Sequence, residues 1–111
     1  MLKKVYIVGK IPKYIDKETR NQFSFAKEYL LKIGFKNIIN PLDNFKNNDS
    51  SSQESIKRNL KLLLECEVAY ILPSVNYKVK NFELDIVSKL NLLTIQGTIM
   101  INKNNRKNEY R

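Results

Sequence analysis

The sequence contains no histidine, no tryptophan and a single cysteine, Cys66. Without histidine, neither a Ser-His nor a Cys-His nucleophile can be assembled, and one cysteine alone does not make a zinc site. A single cysteine also excludes an internal disulfide framework, and because Cys66 begins an apolar run, we interpret it as a small buried thiol. We therefore expect a reduced, cytoplasmic compartment, with neither a metal nor a cofactor.

Glycine and long apolar runs are also scarce. The pair Gly9-Lys10 lacks the remaining glycine and the Ser/Thr of a phosphate loop, which argues against a nucleoside triphosphatase. No apolar stretch approaches the roughly 20 residues that a membrane span needs, and the N-terminal Met-Leu-Lys-Lys leads into a strand pattern instead of a secretory signal. We expect a soluble protein with no membrane partner.

Positive charge is abundant, with a formal net charge of +9. Lysine and arginine are scattered along the chain, with a local excess at Lys103, Arg106, Lys107 and Arg111. Scattered charge favours solubility, and no base-reading or stacking motif accompanies it, so we do not expect specific nucleic-acid binding. A basic surface that contacts nucleic acid or protein stays open as an alternative function.

Hydrophobic patterning predicts strands that alternate with amphipathic helices. The strand patterns cover residues 3–8, 35–41, 68–73 and 92–95, with a possible fifth over 98–102. The first helix ends at Gly34, and the second begins near Ser52, whose hydroxyl can cap it. Each helix has an apolar face that we expect to cover the core. The residues of this face are Phe23, Ala26, Leu30 and Ile33 in the first helix, Ile56, Leu60, Leu63 and Leu64 in the second, and Phe82, Ile86, Val87 and Leu90 in the third.

This alternation predicts an α/β protein with a flavodoxin- or Rossmann-like three-layer sandwich. We expect an open parallel sheet of four or five strands, in the order 2-1-3-4-5, with helices on both faces. We expect one domain over residues 1–101 and a basic, frayed tail over residues 102–111. Ligands of such sheets bind beyond the carboxyl ends of the strands, which places candidate site residues within 9–13, 40–44 and 73–83.

Several of these stretches together resemble the nucleoside 2-deoxyribosyltransferase-like superfamily, and within it a small, largely phage-borne family of domains. The segment "VYIVGK" at 5–10 resembles the family's first strand, Asn40-Pro41 ends the second, and "RNLKLLLECEVAYILP" at 58–73 is the most similar stretch. Glu83 then begins a helix in the family's acidic position. The resemblance covers residues 3 to 96 and implies the same fold.

The resemblance implies cleavage or transfer at the N-glycosidic bond of a nucleoside or nucleotide. It places the nucleophile at Glu83, a tyrosine that positions it at Tyr6, and the residue that assists the leaving base at Asn59, where the family has Asp. The ends of the strands add the candidate ligand-binding residues Gly9, Lys10, Asn40, Pro73, Ser74 and Lys78. A homodimer or larger oligomer is implied by resemblance, because such transferases complete each pocket with a neighbour's residues.

Two departures from the family pattern bear on this activity. Asn59 cannot donate and recover a proton as a carboxylic acid does, which typically removes about 10² to 10⁴ in rate. The loop before Glu83 is one residue shorter than the family's and has no glycine, so Lys78 or Lys80 would have to contact a phosphate by charge. A non-catalytic, phage-type accessory protein that binds or sequesters a nucleotide is therefore the second hypothesis.

Overall fold

A computed structural model of the protein describes residues 3–76, 78 and 81–98. Within these residues the chain alternates strands and helices, with a short 3₁₀ turn before the second α-helix. The elements are β1 (Lys4–Val8), α1 (Lys17–Lys32), β2 (Asn37–Ile39), the 3₁₀ turn (Pro41–Asn44), α2 (Gln53–Leu64), β3 (Val68–Ile71), α3 (Phe82–Lys89) and β4 (Leu93–Gln96). No helix in these described ranges is long and apolar enough to cross a bilayer.

The four described strands form one parallel sheet in the order β2-β1-β3-β4. This confirms the predicted α/β class and the first four positions of the predicted strand order. The proposed fifth strand, apart from Thr98, and the basic tail 102–111 lie outside the described residues. From β1 the chain first adds β2 on one side and then returns to add β3 and β4 on the other side. The connections that leave β1 and β3 therefore diverge, and a crevice forms at the carboxyl ends of these two strands.

The helix ends follow the capping rules that the sequence suggested. Ser52 caps α2 by accepting from the Ser55 backbone N–H at 3.3 Å. Gly34 follows α1 with φ of +110°, a left-handed conformation that glycine adopts without a Cβ penalty. Asn81 caps α3 by accepting from the Leu84 N–H at 3.0 Å, and this cap fixes where the first turn of α3 begins.

The core divides into two layers because successive strand residues face opposite sides of the sheet. Val5 and Ile7 face α1, where they pack with Phe23, Ala26 and Leu30. Tyr6 and Val8 face the other side, where α2 and α3 cover them through side chains that include Leu63 and Val87. Helices on both faces of the sheet were predicted and are confirmed.

Cys66 lies in the second layer with 4% of its surface exposed, as its sequence context indicated. Burial is the main cause that raises the pKa of its thiol to about 11. Since the thiolate is the reactive form, Cys66 is an inert packing residue and not a nucleophile.

The predicted apolar face of each helix is only partly right. Ile33, Ile56, Leu64, Phe82 and Leu90 were expected in the core, but each exposes between 42% and 64% of its surface. In α2 the buried stripe is rotated, so that Asn59 and Leu63 point inward. In this orientation Asn59 bonds to the Pro41 carbonyl and the Asn44 amide of the 3₁₀ turn, so its polar groups are satisfied although it is buried.

Candidate functional site

A cavity of about 510 Å³ opens at the carboxyl ends of β1 and β3. Gly9 and Lys10 line it after β1, Ser74 lines it after β3, and Asn59 and Glu83 reach it from α2 and α3. Its apolar walls come from Ile11, Phe45, Ile56, Leu60, Val75 and Phe82, and Ser50, Asn76 and Asn81 add polar side chains. A cavity of this size that combines apolar walls with convergent polar side chains is typical of a small-molecule site.

Tyr6 and Glu83 form the central polar contact of this region. The Tyr6 hydroxyl donates to Glu83 Oε2 at 2.6 Å, across 77 positions of sequence. Tyr6 is fully buried in the middle of the sheet, whereas Glu83 is partly buried and lines the cavity. The contact therefore holds one carboxylate oxygen of a residue that lines the cavity.

Burial and this hydrogen bond act on Glu83 in opposite directions. Desolvation raises the pKa of the Glu83 carboxyl above its ordinary value, while the hydrogen bond from Tyr6 lowers it in part. The pKa of Tyr6 is raised, first by burial and then by the charge of Glu83, so its hydroxyl keeps its proton. Glu83 is thus a partly desolvated carboxylate, and poor solvation makes a carboxylate more nucleophilic.

Asn59 is buried, and both ends of its amide are engaged within the protein. Its Nδ2 donates to the Pro41 carbonyl at 3.1 Å, and its Oδ1 accepts from Asn44 Nδ2 at 2.6 Å. These bonds tie α2 to the 3₁₀ turn. Asn59 therefore lines the cavity with its amide already bonded to the 3₁₀ turn. The resemblance implies that a residue at this position assists the leaving group.

Loop-to-loop contacts hold the far wall of the cavity. Ser50 Oγ donates to the Pro12 carbonyl at 2.7 Å, and the Ser50 N–H donates to the Lys13 carbonyl at 2.9 Å. The Ile15 N–H also donates to the Asn48 carbonyl at 2.8 Å. These bonds join the loop after β1 to the loop before α2, so the site has a supported wall where the sequence indicated only two polar loops.

The other predicted ligand-binding residues divide into two groups. Gly9, Lys10 and Ser74 line the cavity with Glu83. Asn40, Pro73 and Lys78 are not among its lining residues: the Asn40 side chain accepts from the Leu42 N–H at 3.0 Å and caps the 3₁₀ turn, and Lys78 is exposed. Asn40 and Pro73 were assigned because they lie at strand ends, a signal that does not distinguish a capping side chain from a ligand-binding one, and Lys78 was assigned for its charge in the loop before Glu83.

Pro73 lies instead in a second cavity of about 600 Å³. This cavity is on the α1 side of the sheet edge and includes Phe25 and Tyr70. Ser74 lines both cavities because it follows β3 between them. The second cavity does not include Glu83, so the Tyr6–Glu83 contact belongs to the first cavity alone.

Sequence reasoning missed the apolar walls of the first cavity. Ile56 and Leu60 were assigned to the core because they lie at helical spacing with Leu63, and Phe82 for the same kind of reason. No sequence signal indicated the rotation of α2, because a polar residue such as Asn59 on an amphipathic helix is ordinarily expected on the solvent face. Among the described residues, no three His, Cys, Asp or Glu side chains form a metal-binding group.

Comparison with known proteins adds no relative to this description. No protein-family profile matches the chain, and no curated protein and no solved structure matches it either.

Proposed function

We propose that this protein binds a nucleoside or nucleotide and cleaves or transfers its N-glycosidic bond, with Glu83 as the nucleophile. The observation that carries the proposal is the 2.6 Å hydrogen bond from Tyr6 to Glu83 at the edge of the cavity. The two residues are paired as the transferase resemblance implies, and they are far apart in sequence. A carboxylate that is held through one oxygen and lines a cavity has the arrangement that a covalent mechanism needs.

Glu83 would attack the anomeric carbon of the sugar and form a glycosyl ester as the base departs. Water, or a second base, would then attack the same carbon and release the carboxylate. Tyr6 is a positioning residue in this scheme, because it is fully buried and acts through Glu83. Its hydrogen bond stabilises the ionised form of Glu83, which is the form that attacks.

The walls of the cavity suit the two ends of a nucleotide. Phe82 exposes 64% of its surface beside Glu83, so its ring is available for stacking on a base. Lys10 follows β1, is exposed and lines the same cavity. Its ammonium group is a suitable partner for a phosphate.

The test is release of free base from a panel of nucleosides, deoxynucleosides and their monophosphates. Wild-type protein should release a base from at least one of them, and Glu83→Gln, which retains a hydrogen-bond acceptor for Tyr6, should not. Glu65→Gln is a matched control, since Glu65 is an exposed glutamate that does not line the cavity. No release by wild type, or equal release by Glu83→Gln, contradicts the proposal.

A non-catalytic nucleotide-binding protein is the second candidate, and the bonds of Asn59 favour it. With the Asn59 amide engaged by Pro41 and Asn44, the residue that assists catalysis in the resembling family has become structural. A nucleotide that binds only the folded state must raise Tm. A rise in Tm with no base released, and no loss of binding in Glu83→Gln, would favour this candidate over the first.

The homo-oligomer remains part of the proposal. It rests on the resemblance, and it is supported by the exposure of Phe82 at the cavity and of Leu93, 62% exposed, on β4. Light scattering coupled to size-exclusion chromatography gives the mass directly. A monomer at every concentration would contradict it.

A further inference from the structure

Glu83 and Lys10 are the charged side chains among the described residues that line the first cavity, and they have opposite signs. A two-carboxylate glycosidase uses one group as nucleophile and the second as proton donor to the leaving group. Here Glu83 is the nucleophile of the proposed function, and the described walls add no second carboxyl group. The remaining polar side chains of the walls must therefore be considered as proton donors.

None of these side chains is placed as an acid for the leaving base. Ser74 has a hydroxyl and Asn76 and Asn81 have amides, which are poor proton donors near neutral pH, and Lys10 is assigned to the phosphate in the proposed function. Asn59 has an amide, and its Nδ2 already donates to the Pro41 carbonyl. The Ser50 hydroxyl donates to the Pro12 carbonyl. The Tyr6 hydroxyl is fully buried and donates to Glu83, so its proton is directed at the nucleophile and away from the leaving base.

A leaving base that receives no proton must depart with the electron pair of the broken bond. A neutral purine or pyrimidine then departs as an anion, which is unfavourable in a mostly apolar cavity. A base whose glycosidic ring nitrogen belongs to a cationic ring departs as a neutral molecule, because the same electron pair cancels its charge. The cavity therefore favours leaving groups that need no acid.

We infer that the substrates are N-glycosides of cationic bases that also carry a phosphate, such as pyridinium or N-alkylpurinium nucleotides. This inference rests on the proposed function. One Glu83 oxygen bonds to the anomeric carbon, the C–N bond breaks, and its electron pair stays on the departing base, which leaves neutral. Water then adds at the same carbon, its proton passes to solvent, and the Glu83 carboxylate is regenerated.

The two charges of the cavity fit the two charges of this substrate class. The Glu83 carboxylate attracts the cationic ring in the ground state, and its desolvated surroundings strengthen that attraction. Lys10 provides the complementary charge for the phosphate. A neutral nucleoside has neither the cationic ring nor the phosphate, so it gains neither attraction. The cavity should therefore bind a cationic nucleotide more tightly than a neutral nucleoside.

The first experiment compares matched pairs of substrates on the 111-residue chain. Nicotinamide riboside 5′-phosphate is tested against its reduced, uncharged dihydro form, and N7-methylguanosine monophosphate against guanosine monophosphate. We expect kcat/KM for the cationic member of each pair to be at least about 100-fold higher, the lower bound of what general-acid help contributes. The same activity must be lost in Glu83→Gln.

A pH profile and one variant separate charge selection from simple reactivity of the cationic substrates. With nicotinamide riboside 5′-phosphate, kcat should rise as Glu83 ionises and then stay level to about pH 9, since no acid has to remain protonated. Asn59→Asp places a carboxyl group in the wall and should raise turnover of guanosine monophosphate at least tenfold, provided that circular dichroism shows a folded protein. A descending limb below pH 9 in the wild-type profile overturns the inference.

The outcomes also distinguish failure of this inference from failure of the proposed function. Glu83-dependent release of base at similar rates from cationic and neutral substrates overturns the inference and leaves the proposed function standing. Release from neither class overturns both. Release from the cationic class that persists in Glu83→Gln also overturns both, because the carboxylate is then not the nucleophile.

Discussion

The hydrogen bond between Tyr6 and Glu83 can be measured as a coupling energy. Tyr6→Phe removes only the hydroxyl that donates to Glu83 Oε2 at 2.6 Å and leaves the buried ring in place. A hydrogen bond to a charged group contributes about 1.5 to 3 kcal/mol, and one between neutral groups about 0.5 to 1.5 kcal/mol. At pH 8, Tyr6→Phe should therefore lower the free energy of unfolding by about 2 kcal/mol.

The same substitution should cost less when Glu83 is replaced by Gln. The amide accepts a neutral hydrogen bond, so Tyr6→Phe in that background should cost about 1 kcal/mol, which gives a coupling of about 1 kcal/mol in the double-mutant cycle. Urea unfolding followed by far-UV circular dichroism is the assay, because the chain has no tryptophan. Equal costs of Tyr6→Phe in the two backgrounds would refute the charge-assisted bond.

The pH dependence of the same proteins has a defined sign. The pKa of Glu83 is raised in the folded protein above the ordinary value of 4.5, so ionising Glu83 costs folding free energy. The stability of wild type relative to Glu83→Gln should therefore fall as pH rises from about 4.5 to the raised pKa and stay level above it. A relative stability that rises with pH across this window would show that Glu83 is stabilised as a carboxylate instead.

Three further substitutions test the walls of the cavity. Lys10→Met should weaken binding of a nucleotide about 2- to 5-fold without affecting the corresponding nucleoside, whereas Lys13→Met, at an exposed lysine outside the cavity lining, should change neither in equilibrium titrations. Phe82→Ala should cost about 1 to 3 kcal/mol of binding, and Phe25→Ala, also exposed but in the second cavity, should cost none. Gly9→Ala should lower the free energy of unfolding by about 1 to 3 kcal/mol, because a Cβ there would lie 2.7 Å from a buried aromatic side chain of α1, and urea unfolding measures this loss.

The strands and their order could be predicted because the sequence patterns reflect local physical constraints. The run from Val68 to Ile71 is buried at every position, as expected for a parallel strand covered on both faces. Gly34 and Ser52 were recognised as helix ends because a left-handed φ and an N-cap each favour few residue types. These signals act over a few residues and need no tertiary information.

The walls of the cavity could not be predicted in this way because they depend on tertiary contacts. The bonds of Asn59 to Pro41 and Asn44 span 18 and 15 positions of sequence. Helical spacing placed Ile56 in the core, but the rotation of α2 around Asn59 leaves it 47% exposed at the cavity. Periodicity predicts that a helix has an apolar face, and packing determines which residues that face covers.

The contact between Tyr6 and Glu83 was expected from the motif resemblance and not from any pattern within the chain. Neither residue is unusual by itself, since a tyrosine on a buried strand and a glutamate in the first turn of a helix are both common. Their geometry follows from the chain reversal between β1 and β3, which brings α3 over the sheet next to Tyr6. The chemical role of the pair is the part of the account that must be measured.

The most direct measurement is the mass of the protein after an acid quench during turnover of nicotinamide riboside 5′-phosphate. If Glu83 is the nucleophile, intact-mass spectrometry should show a fraction of wild-type protein that carries one ribosyl phosphate, and peptide mapping should place it on Glu83. Glu83→Gln should carry none. Base release with the adduct on another residue, or an adduct that persists in Glu83→Gln, would contradict the account.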